Sequence, residues 1–187
     1  MVNLDKIRSL AIIGNLDQGK TNLMFYYANS YKGERQKYLF GYPKEMKGFK
    51  SLSNWEDILK IRNGIILIDE INQFIKVYDN KSNYKLMELI SLFAHKNNTL
   101  IFTTQLSQFI TRGVEAFIDC WAIKRIDLEL LKNGCKSKRL IQRLSYSKKN
   151  DWVLDLEQNE FYEYSEKNEI GENKIKTFPF QKIKKDW

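Results

Sequence analysis

Proline, cysteine and histidine are nearly missing from this chain: two prolines, two cysteines and one histidine in 187 residues. Two cysteines, Cys120 and Cys135, cannot build a disulfide framework or a four-ligand zinc site. The fold must then rest on an apolar core, in a reducing compartment. Cys120 reads as a small strand residue and Cys135 as a loop thiol. A lone histidine, His95, leaves no His/Cys metal cluster and no Ser–His–Asp constellation. Its place late in a helix beside Lys96 suits a surface. So few prolines, with only nine glycines, exclude a collagen-like or loop-dominated chain. No run approaches the ~18 apolar residues of a membrane span. Residues 1–8 are polar and lack the apolar stretch of a secretory signal. Together these absences point to a cytoplasmic protein. Acid is scarce as well: 31 Lys+Arg against 23 Asp+Glu leave a net charge of +8, which favours a polyanionic partner.

What remains is globular in proportion, with 43% hydrophobic and 29% charged residues. The length suits one domain with a small appendage. Residues 9–13 form a short apolar run with the length of a buried strand. From Lys20 the period changes, and Leu23, Met24, Tyr27, Ala28 and Tyr31 share a helical face that Gly33 is placed to stop. Residues 37–42 read as a strand before Pro43. Ser53 is placed to cap a helix over 54–61, with Glu56 completing a capping box. Residues 64–68 are the most apolar run and read as a central strand. Leu89, Ile90 and Phe93 mark an amphipathic helix ending at Asn97-Asn98. Strands follow at 99–104 and 120–126, with a helix over 113–118 between them. This alternation predicts an α/β fold of three layers, with helices on both faces of a mainly parallel sheet. The tail reads differently, as a strand over 139–146 and a hairpin of 151–157 with 160–164.

Gly14-Asn15-Leu16-Asp17-Gln18-Gly19-Lys20-Thr21 matches the phosphate-loop pattern GxxxxGK[ST] between a strand and a helix. With the residue frequencies of this chain about 0.005 chance matches are expected. The glycines let backbone N–H groups of residues 14–22, Asn22 included, wrap a phosphate, and the helix N-terminus adds positive potential. Lys20 is placed to neutralise the β- and γ-phosphates, and the Thr21 hydroxyl to ligate Mg²⁺. Asp17 is an oddity, because a carboxylate in the loop lies close to phosphates unless it points away.

Asp69-Glu70 follows the most apolar strand. Open parallel sheets place their sites at the carboxyl ends of strands. Asp69 is therefore the candidate to hold Mg²⁺ through water, and Glu70 the candidate base for an attacking water. The strand over 99–104 ends in Thr103-Thr104-Gln105. Gln105 is the first choice for a side chain on the γ-phosphate or the water, and Thr104 the second. Arg112 is a candidate to reach a neighbouring subunit's nucleotide, with Arg125 and Arg62 behind it. Residues 132–149 carry seven cations and no acid, residues 151–169 a net charge of −6, and residues 171–187 a net of +3. The first of these clusters is a candidate DNA contact, through Lys136, Lys138 and Arg139 among others.

The order of loop, acidic pair and polar strand end resembles the additional-strand, catalytic-glutamate class of P-loop NTPases. Three features carry it further: Ile-Ile-Leu-Ile-Asp-Glu-Ile-Asn at 65–72, Thr-Leu-Ile-Phe-Thr-Thr-Gln at 99–105, and Arg112 with Ile118-Asp119 ahead of the next strand. They are similar to the FtsK–HerA superfamily, above all to viral genome-packaging ATPases and Zot-like phage assembly ATPases. The resemblance spans residues 8–126. It implies a P-loop ATPase core, expected over 1–130, and the basic strand and acidic hairpin of the tail are then a small β-rich extension over 131–187 packed on it. It implies Mg²⁺-dependent ATP hydrolysis by a hexameric or pentameric ring that moves double-stranded DNA. Such a ring would work in a host cytoplasm or a virion, anchored by a capsid or membrane protein. A Zot-like factor usually carries a membrane span, so its lack here favours a packaging motor. A replication helicase or helicase loader shares the same core. A GTPase switch shares Asp17, but the Asp-x-x-Gly and Asn-Lys-x-Asp sequences it needs are missing.

Overall fold

A computed structural model of the chain describes residues 1–74, 80–105, 116–126, 156–165 and 174–179. In chain order they form β1 (Ser9–Ile13), α1 (Lys20–Ser30), β2 (Gln36–Phe40), β3 (Lys50–Leu52), α2 (Trp55–Lys60), β4 (Gly64–Ile68), α3 (Asn80–His95), β5 (Thr99–Thr104), β6 (Cys120–Ile123), β7 (Glu160–Ser165) and β8 (Lys174–Thr177). A 3-10 turn, Ile71–Gln73, follows β4.

All eight strands join one sheet in the order β3-β2-β4-β5-β1-β6-β7-β8. The strands from β3 to β6 in that order are parallel, and β7 and β8 continue the sheet antiparallel. β1, β4, β5 and β6 are buried at every residue. Unbroken apolar runs are what parallel strands covered on both faces require. Alternation splits the side chains between two layers. Leu10, Ile12, Leu67 and Ile101 meet Leu23, Met24 and Tyr27 of α1 on one face. Ala11, Ile13, Ile68 and Phe102 meet Ile58 of α2 and Phe93 of α3 on the other. Each such large side chain contributes about 1.5–3 kcal/mol by leaving water. The three-layer α/β expectation therefore holds.

Several boundaries differ from the sequence reading. α1 ends at Ser30 with Tyr31 extended, ahead of Gly33. There the chain turns to seat the buried Arg35, which lies over the Tyr31 ring at 4.9 Å and donates to Thr99 Oγ1 at 2.9 Å. Asn54, one residue after Ser53, stands at the start of α2 without a side-chain capping bond, so Glu56 does not complete a capping box. β3 and β8 are strands beyond those that the sequence pattern predicts. The chain at 116–117 is a turn, not helix, while residues 113–115 lie outside the described residues. β7 pairs with β6 and β8, and residues 151–155 of the expected hairpin lie outside the described residues. The expected strand at 139–146, the cations of 132–149, Cys135 and the boundary at 130 also lie outside the described residues. The end of α3 matches its signal. Asn97 is left-handed (φ 53°), and the Asn98 N–H returns to the Phe93 carbonyl at 3.0 Å.

Buried charges stitch β7 to the strands and helix around it. Glu163 on β7 is fully buried. It accepts from the Tyr27 hydroxyl at 2.6 Å and the Val2 N–H at 3.0 Å, and it pairs with Lys176 of β8. Three donors on one carboxylate offset much of its desolvation. Burial, with the charge of Glu163, pushes the Tyr27 hydroxyl above its ordinary range. Lys124, also fully buried, donates to the carbonyls of Gln158 (2.7 Å) and Glu160, fixing the turn before β7. Burial pushes its ammonium down to about 7.

Candidate phosphate-binding site

The carboxyl ends of β1, β4 and β5 converge on one edge of the sheet. The loop that leaves β1 begins with a forced close approach. A Cβ on Gly14 would lie 2.6 Å from Cβ of Lys124. The Asn15 N–H donates to the Arg125 carbonyl at 2.9 Å, which pins the loop against the end of β6. Gly19 is left-handed (φ 77°) and α1 starts directly after it. Asp17 is exposed and also left-handed (φ 56°), a conformation that short polar side chains tolerate. Its presence in the loop thus has a backbone reason. Its carbonyl accepts from the Gln158 side chain at 3.2 Å.

Lys20 opens α1 and is nearly buried. Its ammonium donates to the Asn15 carbonyl at 2.9 Å and lies 3.5 Å from Glu70 Oε1. The Thr21 hydroxyl faces both oxygens of Asp69 at 3.0 Å. The four residues read from two distant motifs thus meet. Glu70 is left-handed (φ 49°, ψ 62°), a conformation a long side chain rarely adopts without outside support.

That support is Thr103. Its hydroxyl accepts the Glu70 N–H at 2.8 Å and donates to Asp69 Oδ1 at 2.7 Å. One side chain on β5 thereby fixes the neighbouring carboxylate and the strained backbone. Sequence reasoning passed over it in favour of Gln105, which is half-buried at the strand end. The signal was available: alternation along β5 puts residue 103 with Ile101, on the α1 face. Thr104 points the other way. Its hydroxyl is buried without a hydrogen-bond partner among the described residues. We expect Thr103→Val, nearly the same shape, to keep the melting temperature within a few degrees and to lower turnover about 10–100-fold. Unchanged turnover would remove Thr103 from the site.

Arg125, exposed beside the loop, is the nearest of the candidate arginines within the described residues. Arg62 precedes β4 and so belongs to the opposite edge of the sheet. Arg112 lies outside the described residues. His95 is exposed at the end of α3, and Cys120 is buried, its thiol pushed well above the usual range by burial. Tyr42, which no motif flagged, is half-buried near the acidic pair. Burial first, then the charge of Asp69, pushes its hydroxyl up.

A hydroxyl beside a carboxylate is a hard, partial donor set. Among the described residues no group of three His, Cys, Asp or Glu side chains gathers into a cage. Such a set suits Mg²⁺, which keeps water and substrate oxygens as ligands.

A mainly parallel sheet in which β5 intervenes between the phosphate-loop strand β1 and the acidic strand β4 is the P-loop NTPase fold of the additional-strand kind. Solved structures share this fold. B204, the DNA-packaging ATPase from Sulfolobus turreted icosahedral virus, is similar at a TM-score of 0.64 and 17% identity, over 96% of this chain and 100% of that one. The genome packaging NTPase B204 from Sulfolobus turreted icosahedral virus 2, in complex with sulfate, is similar at 0.65 and 15% identity, over 96% and 98%. The same protein in complex with ATP-gammaS gives 0.61 and 16%, over 92% and 97%. No protein-family model and no curated protein sequence matches the chain. The likeness in fold spans nearly the whole length of both chains.

Proposed function

We propose that this chain is an ATP-hydrolysing motor that moves double-stranded DNA, a viral genome-packaging ATPase. The observation that carries the reading is the meeting of Lys20, Thr21, Asp69 and Glu70 at one sheet edge. The whole-length likeness to the B204 packaging proteins supports the same reading, as does the net charge of +8.

The chemistry follows from the residues. Backbone N–H groups of the loop and the Lys20 ammonium hold the β- and γ-phosphates. Glu70 takes a proton from a water as its oxygen bonds to the γ-phosphorus, and the bond from that phosphorus to the bridging oxygen of ADP breaks. Thr103 keeps Glu70 facing the reaction. Gln105, which follows β5 on the same side as Thr103, is the residue to orient the water or the γ-phosphate, whereas the buried Thr104 hydroxyl, the second choice, faces away from α1. Thr21 and Asp69 would hold Mg²⁺, which when bound neutralises charge developing on the phosphate oxygens. Arg112, or Arg125 beside the loop, would stabilise that charge from a neighbouring subunit.

A ring of six or five copies, anchored by a capsid or membrane protein, is the form in which such a motor works, in a host cytoplasm or a virion. No helix among the described residues is long and apolar enough to cross a membrane. The test is ATP hydrolysis with and without duplex DNA, beside native mass in solution. Several-fold stimulation by duplex together with a closed ring is the expected result. A monomer whose hydrolysis ignores DNA would contradict the reading.

A further inference from the structure

We propose that residues 41–50, the link from β2 to β3 together with the first residue of β3, form a finger that holds the phosphate backbone of a DNA duplex through Lys44, Lys47 and Lys50. The proposal rests on the motor reading above and names a surface that carries the DNA. Two residue sets alternate along the finger. Tyr42, Met46 and Phe49 pack against the core, while Lys44, Lys47 and Lys50 are exposed. The three apolar side chains pin the segment down, and the three lysines, one after each of them in the chain, are exposed at three-residue intervals. The tip is a tight turn, closed by the Phe49 N–H on the Met46 carbonyl at 3.0 Å, with Lys47 and Gly48 at its centre. Gly48 is left-handed (φ 87°), and a Cβ added there meets nothing within 4 Å, so the tip stands in open space. One acid, Glu45, lies among the three lysines. A duplex backbone fits this array, because regularly spaced phosphates accept point charges on flexible stems without sequence readout.

The base of the finger touches both carriers of the phosphate chemistry. Phe25, one turn along α1 from Thr21, packs edge-on against the rings of Tyr42 (5.5 Å) and Phe49 (5.4 Å). Phe74, just beyond the turn that Glu70 opens, lies against Gly41, where an added Cβ would come within 2.2 Å of its ring. The Tyr42 hydroxyl also feels the charge of Asp69. Rearrangement of α1 or of the Glu70 turn on nucleotide binding therefore bears directly on the segment that carries the lysines.

The triple variant Lys44→Gln/Lys47→Gln/Lys50→Gln tests this, with the triple arginine variant as its charge-keeping control. Expected for the glutamine variant are DNA-free ATP hydrolysis at the wild-type rate, loss of stimulation by duplex, and duplex affinity at least about tenfold weaker. The slope of log affinity against log salt should become shallower by about one for each lysine removed. The arginine variant should keep both affinity and slope. Wild-type affinity and slope in the glutamine variant would overturn the finger and leave the motor reading standing. A wild-type chain that binds no duplex would remove the motor reading first, and the finger with it. Equal loss in both triple variants would also overturn the proposal, since charge would then not be what the DNA holds.

Discussion

Lys20→Ala is expected to lower ATP turnover about 10³-fold, to the limit of detection, by removing a charge placed at the phosphates. The nearly buried ammonium bridges the Asn15 carbonyl and the Glu70 carboxylate. It therefore links the loop to the acidic strand even before nucleotide arrives. Its removal takes away the positive charge nearest the bound phosphates, and no neighbouring side chain in the loop replaces it. The scaffold of the loop lies elsewhere, in the Gly14–Lys124 approach and the Asn15–Arg125 bond. The variant should thus fold and lose nucleotide binding and hydrolysis together. Circular dichroism with equilibrium nucleotide binding separates the two effects. Turnover within a few-fold of wild type, in a variant that folds, would contradict the assignment.

Glu70→Gln should behave differently, binding ATP close to the wild-type affinity and hydrolysing it about 10²–10⁴-fold more slowly. The substitution keeps the shape, the left-handed backbone and the N–H bond to Thr103, because none of these depends on the charge. It removes the group able to take the water's proton. It also weakens the contact with Lys20, which frees that ammonium for phosphate. The contrast between the two variants carries the mechanism: one loses binding and turnover, the other loses turnover alone. Nucleotide binding and single-turnover hydrolysis measured on the same preparations decide it. A Glu70→Gln protein hydrolysing at the wild-type rate would move the base elsewhere.

The buried strands and the two motifs were legible because each rests on local chemistry. Unbroken apolar runs mark β1, β4 and β5, and the spacing of glycines, Lys20 and Thr21 marks the loop. Such runs require helices on both faces of the sheet, which gives the three layers, while the strand order is set by the pairing itself. What stayed hidden depends on long-range partners. Thr103 has no motif, and its role exists only because β5 lies beside β4. Helix α1 stops early to seat Arg35 against Thr99, far away in sequence. β8 has the lysine-rich look of a solvated segment, and its place in the sheet follows from the pairing of Lys176 with the buried Glu163. The finger was invisible for a related reason: the spacing of Tyr42, Met46 and Phe49 imitates a helix face, Pro43 and Gly48 interrupt it, and their common side is set by packing against the distant core.

The most direct measurement is a structure of the full chain with ATP-gammaS and Mg²⁺. The account expects the γ-thiophosphate at the N-terminus of α1, Lys20 moved from Glu70 onto the β- and γ-oxygens, and a water between the Glu70 carboxylate and the γ-phosphorus. Nucleotide bound elsewhere, or bound at the loop with Lys20 still paired to Glu70 and no room for a water, would contradict it.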